Sequence, residues 1–165
     1  MEKKQNSLRG FTLIELLIVI GILGIIAAVV FVALDPGTRF EDARDARRWS
    51  DASAIIDAIK VDQVDNGGSF ISAVSSLTDD TVYMIGTGSS GCNATCDTPA
   101  LTTDACVDLT GLVTEGYLGQ IPVSPDGTGT WSASLSGYTM KKTATGIVSV
   151  YACESENTGS ISITR

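Results

Sequence analysis

The chain has 165 residues, room for one domain of ordinary size. Its 11 Lys+Arg against 19 Asp+Glu give a formal net charge of −8, which argues against a nucleic-acid binder working through a net basic face. It contains no histidine, so Ser–His and Cys–His nucleophile pairs and His-ligated metal sites are removed.

The N-terminus carries the strongest signal. Residues 16–34 form a run of 19 without a charge or a strongly polar side chain. At 1.5 Å per residue such a helix spans roughly 28 Å, about the hydrocarbon thickness of a bilayer. A chain of this size cannot surround so long an apolar helix on all sides, so the run reads as a membrane span. Lys3, Lys4 and Arg9 precede it, against Glu2 alone. Basic residues there keep the N-terminus cytoplasmic. Four cysteines in the remainder suit an oxidising compartment, which places the C-terminal part outside.

Arg9, Gly10, Phe11, Thr12, Leu13, Ile14 and Glu15, with the apolar run that follows, resemble the class III signal of type IV prepilins and pseudopilins. The resemblance is dense over residues 9–34. It implies that a prepilin peptidase removes residues 1–10 by cutting after Gly10, and that Phe11 becomes an N-methylated N-terminus. It also supplies a partner for Glu15, the only ionisable side chain between Phe11 and Leu34. A carboxylate at the start of a membrane helix is costly unless paired. The amine created on Phe11 pairs with it, either in a neighbouring subunit or one helical turn away in the same chain.

Within the helix of residues 11–34, Gly21, Gly24, Ala27 and Ala28 provide a small surface for close approach of neighbouring helices. Asp35, Pro36 and Gly37 interrupt it, because proline disfavours helical geometry at the residue before it. From residue 38 to 64 apolar residues return at spacings of three and four: Phe40, Ala43, Ala46, Trp49, Ala52, Ile55, Ile56 and Ile59. Glu41, Asp45, Arg48, Asp51 and Lys60 are expected on the more polar faces, either solvated or making contacts between subunits, with solvent the first expectation for any single residue. Asn66, Gly67 and Gly68 end this segment of residues 35–66.

Residues 67–165 read as a head of short strands and loops. Strands are expected over 81–85, 131–135, 138–142, 147–153 and 160–164, with tight turns at Ser136–Gly137 and Ala144–Gly146. The stretch from Leu109 through Gly116, Tyr117, Leu118, Ile121 and Pro122 to Pro125 also resembles pilin and pseudopilin heads. Four cysteines allow three pairings. The expected one is Cys92–Cys96, closing a small loop, with Cys106–Cys153 tying that region to a strand. Their spacing does not suit a zinc site. Asn93, Ala94 and Thr95 match a glycosylation sequon. Residues 124–129 offer oxygen ligands near where some major pseudopilins hold calcium, but lack dense acidic spacing and read as a turn.

These features imply an α+β, type IV pilin-like fold: a long transmembrane and assembly helix packed on a small antiparallel sheet head. No catalytic residue, cofactor or metal is expected. The chain is expected to be a structural subunit that polymerises with copies of itself after cleavage by prepilin peptidase. A pilus assembly platform and a motor ATPase would draw it from membrane lipid into a filament on the cell surface. Three alternatives remain: a pseudopilin of a type II secretion or DNA-uptake system, working in the periplasm; a non-polymerising membrane-anchored binding module; and a membrane-anchored enzyme, against which the missing histidines and catalytic motifs argue.

Overall fold

The computed structural model describes residues 10–93, 96 and 99–165. Residues 1–9 of the expected leader, and Ala94 and Thr95 of the sequon, lie outside the described residues. The chain divides into two units, Met1–Arg39 and Phe40–Arg165.

In the first unit, α1 spans Leu13–Leu34, 22 residues of which none is buried. Its sequence is apolar on every face, so no single face marks a protein core. The helix is long and apolar enough to cross a membrane, with a mean hydropathy of 3.2 over 18 residues. It ends where Asp35 takes left-handed geometry at φ 39° and ψ 71°. Pro36 supplies the reason, since it disfavours a right-handed helical residue before it and fits the first position of a new helix. The Asp35 carboxylate accepts the Thr38 hydroxyl at 2.6 Å. The following helix, α2, runs over Pro36–Asp65.

In the second unit, the C-terminal half of α2 buries Ala52, Ile55, Ile56, Ala58 and Ile59. The helix closes with the Gly68 N–H donating to the Gln63 carbonyl at 2.7 Å, while Gly67 sits at φ 63°. This is the left-handed glycine exit expected from Asn66–Gly68. Two short helices follow in the chain, α3 at Ser72–Ser75 and α4 at Thr110–Thr114.

Four antiparallel strands lie in chain order: β1 Val82–Met84, β2 Tyr138–Lys142, β3 Val148–Ala152 and β4 Ser162–Thr164. The central register pairs Met140 with Val150, and Val150 with Ile163. Tyr138, Met140, Val148, Val150 and Ala152 form one core with Ile55, Ile56 and Ile59 of α2. Side chains two apart on a strand share a face, so β2 and β3 offer one apolar face to the helix. A second, smaller core holds Met84, Cys92, Cys96, Leu101 and Trp131. The result is an α+β, pilin-like fold.

Residues 131–135 are not a strand. Ser132 and Leu135 hydrogen bond to each other through their backbones at 2.9 and 3.1 Å, closing a turn that buries Trp131 in the second core. Ser136–Gly137 therefore joins no hairpin; the Ser136 N–H instead reaches the Ile85 carbonyl at 3.0 Å. The turn between β2 and β3 is formed, with Thr143 N–H donating to Ile147 O at 2.9 Å.

The disulfides also depart from expectation. They join Cys92 to Cys106 and Cys96 to Cys153, not Cys92 to Cys96 and Cys106 to Cys153. The Cys92 N–H donates to the Asp104 carbonyl at 3.1 Å, which draws the two sides of this loop together beside Cys106. Cys96 is then left to meet Cys153, just past the end of β3, with a Cα–Cα distance of 5.2 Å.

Candidate functional site

Polar side chains are gathered at the start of α1 and in a buried charge cluster on α2.

At the start of α1, Gly10 and Phe11 precede the helix, and Phe11 is 83% exposed. Thr12 is the N-cap. Its hydroxyl accepts the Glu15 N–H at 3.2 Å, and the Glu15 carboxylate accepts the Thr12 N–H at 3.4 Å. The pair satisfies two backbone donors that a helix start leaves open. Within a single chain, Glu15 is thus held in the first turn of α1, while Phe11 lies outside the helix, just before its N-cap. A β-carbon added at Gly21 or Gly24 would meet nothing within 4 Å, and Ala27 and Ala28 are exposed. Among the described residues, nothing requires small side chains at these positions. At Gly37, the nearest atom to an added β-carbon is Asp35 Oδ1, at 3.7 Å.

On the N-terminal half of α2 the expected faces are exchanged. Phe40 is 66% exposed and Trp49 38%, and Ala43 and Ala46 are exposed with them. Asp45 and Arg48, expected in solvent, are buried at 2% and 0% exposure. Burial of charge requires pairing, and the pairing here is extensive. The Arg48 guanidinium donates to Asp45 Oδ1 at 2.8 Å, Glu156 Oε1 at 2.8 Å and Glu154 Oε2 at 3.1 Å. It also donates to Ser124 Oγ at 3.2 Å and the Pro125 carbonyl at 3.0 Å. Arg44 forms a bidentate pair with Glu156, and this pairing lowers the Glu156 carboxyl below the usual range.

Asp45 accepts backbone N–H groups of Glu156, Asn157 and Thr158 at 2.9 to 3.1 Å, and the Thr158 hydroxyl at 3.0 Å. Burial alone would raise its pKa. The donors from Asn157, Thr158, Glu156 and Arg48 outweigh that and hold it at about 2. The loop after β3 is thereby fastened to α2. Residues 124–129 are fastened to the same cluster, because Glu154 accepts both the Gly129 N–H and the Thr128 hydroxyl.

Sequence reasoning missed this cluster. Asp45 and Arg48 stand three apart on α2, but their partners lie more than 70 residues away. Nothing local marks them as buried. The oxygens of residues 124–129 do not fit a calcium site: Pro125 O and Ser124 Oγ are bound to Arg48, and Asp126 accepts the Trp131 N–H at 3.4 Å. Among the described residues, no three His, Cys, Asp or Glu side chains are grouped to hold a metal ion.

Comparison with curated proteins and with solved structures gives no match. Residues 6–31 match the family model described as the prokaryotic N-terminal methylation motif, and the chain therefore carries the class III signal of type IV pilin and pseudopilin precursors.

Proposed function

We propose that this protein is a structural subunit of a type IV pilus-like filament. Residues 1–10 are the leader, removed by prepilin peptidase after Gly10, and Phe11 becomes the N-methylated terminus. Residues 11–34 cross the cytoplasmic membrane with the head outside, and later form the filament core with copies of the same chain. Residues 35–66 continue the helix and residues 67–165 form the filament surface.

One observation carries the reading: most of α1 lies within the matched methylation motif, residues 6–31, and none of its 22 residues is buried among the described residues. So large an apolar surface requires cover by lipid or by other helices. Gly21, Gly24, Ala27 and Ala28 let neighbouring helices approach closely. When lipid is exchanged for neighbouring helices, Glu15 pairs with the Phe11 amine, so neither charge enters the apolar core alone. The assembly platform and motor ATPase act as separate proteins, and this chain supplies self-association rather than catalysis.

Intact mass and N-terminal fragmentation of the protein from its native cells test the processing step. The expected chain begins at N-methyl-Phe11. A chain retaining Met1–Gly10 in cells with active prepilin peptidase overturns the reading and favours a membrane-anchored module. The same motif serves pseudopilins, so electron microscopy completes the test. Long surface filaments labelled by antibody to the head support a pilus, and their absence assigns the chain to a secretion or DNA-uptake system.

A further inference from the structure

Arg48 lies where three carboxylates, a carbonyl and a hydroxyl converge. The acceptors are Asp45, Glu154, Glu156, Pro125 O and Ser124 Oγ, at 2.8 to 3.2 Å from its nitrogens. A guanidinium has five N–H donors, so each has an acceptor. The acceptors come from α2, from residues 124–125 and from residues 154–156, which converge on this side chain. Carboxylate-rich oxygen sets are the donor chemistry by which proteins hold hard divalent cations, but among the described residues these carboxylates are spread around the guanidinium and not grouped to hold a metal ion.

We infer that the Arg48 side chain is a built-in cation that organises these two loops in place of a bound metal ion. Three carboxylates around one guanidinium leave an excess of negative charge, and Arg44 offsets part of it through Glu156. Space points the same way. A β-carbon at Gly127 would stand 2.9 Å from Arg48 Nη2 and 3.1 Å from Glu156 Oε1. The loop backbone therefore closes directly over the guanidinium, which itself takes up the acceptors that an ion would use. The order of residues 124–129 and 154–158 is accordingly independent of divalent cations. This inference does not depend on whether the chain polymerises.

Thermal unfolding of the mature full-length chain in detergent micelles, followed by near-ultraviolet circular dichroism, tests it. The wild-type Tm is expected to be the same in millimolar calcium chloride and in millimolar EDTA. Arg48→Lys keeps the charge but has three donors, and Arg48→Met keeps the bulk without the charge. Arg48→Met leaves the buried carboxylates without their cation and is expected to lower Tm by roughly 10 °C or more. Arg48→Lys is expected to fall less, and if one variant alone folds, it is expected to be Arg48→Lys. A wild-type Tm that rises with calcium or falls with EDTA overturns the inference, as does Arg48→Met unfolding at or above Arg48→Lys. Should neither variant fold, the wild-type comparison decides.

Discussion

Asp45 accepts the backbone N–H of Asn157 at 2.9 Å, across 112 positions of sequence. This bond and its neighbours fasten the loop after β3 to α2. They also explain why a helix face that reads as polar is turned inward.

The first expected consequence concerns acid stability. The folded-state pKa of Asp45 is lowered from 3.8 to about 2, so the ionised carboxylate favours the folded state. That contribution is fully present above about pH 4 and is lost as pH falls towards about 2. It amounts to about 2 kcal/mol for this shift. Asp45→Asn should lose at least that much at neutral pH, and its stability should depend less on pH between about 4 and 2. Urea unfolding midpoints of the two proteins across that range check the sign and the size.

At the alkaline end, Tyr138 plays the opposite part. Burial pushes its phenol up, and the Asp51 carboxylate, which accepts its hydroxyl at 2.8 Å, adds to the effect. The folded state therefore favours the neutral phenol. Its contribution is intact below the ordinary tyrosine value of 10.0 and is lost as pH rises beyond it. Tyr138→Phe should flatten the fall in stability above about pH 10, read by chemical unfolding at several alkaline pH values.

The disulfides should differ in worth. Cys96–Cys153 spans 57 positions and Cys92–Cys106 spans 14. Loop-closure entropy assigns about 4 kcal/mol to the longer loop and about 3 kcal/mol to the shorter. The Cys96→Ser, Cys153→Ser double variant should therefore unfold at lower denaturant than the Cys92→Ser, Cys106→Ser variant. Non-reducing peptide mapping should find the Cys92–Cys106 and Cys96–Cys153 pairs and no Cys92–Cys96 peptide.

Gly137 bears on packing of the second core. It sits at φ 78°, and an added β-carbon would press on the Trp131 ring and on Ser124. Gly137→Ala should cost roughly 2–4 kcal/mol through backbone strain and overpacking together. A shift in Trp131 fluorescence should accompany the loss.

Glu15 separates assembly from insertion. Glu15→Ala removes a carboxylate from the start of a membrane helix, which favours insertion in lipid. On the filament reading the variant should reach the membrane and lose filament assembly, seen by immunoblot of sheared surface fractions. Undiminished filaments would remove the proposed pairing with Phe11.

The extended run of 138–142 and the glycine exit at Asn66–Gly68 were legible because each depends on near neighbours. Alternation of Tyr138 and Met140 identifies a strand face, and Gly67 and Gly68 accept positive φ. The segment 131–135 misled for the opposite reason. Its side chains suit a strand, yet its backbone finds partners within itself and in the loop after β1. Phe40, Ala43, Ala46 and Trp49 misled in the same way, since helical spacing shows a stripe without saying what faces it.

The sequence by itself determined the membrane-length helix, its methylation motif and the helix break before Pro36, because chain length, hydropathy and proline geometry are local properties. Only the tertiary structure decided the disulfide pairing and the inward turn of Asp45 and Arg48. Those depend on which distant loops arrive at α2, and a buried charge is tolerable only where the rest of the fold supplies its partners.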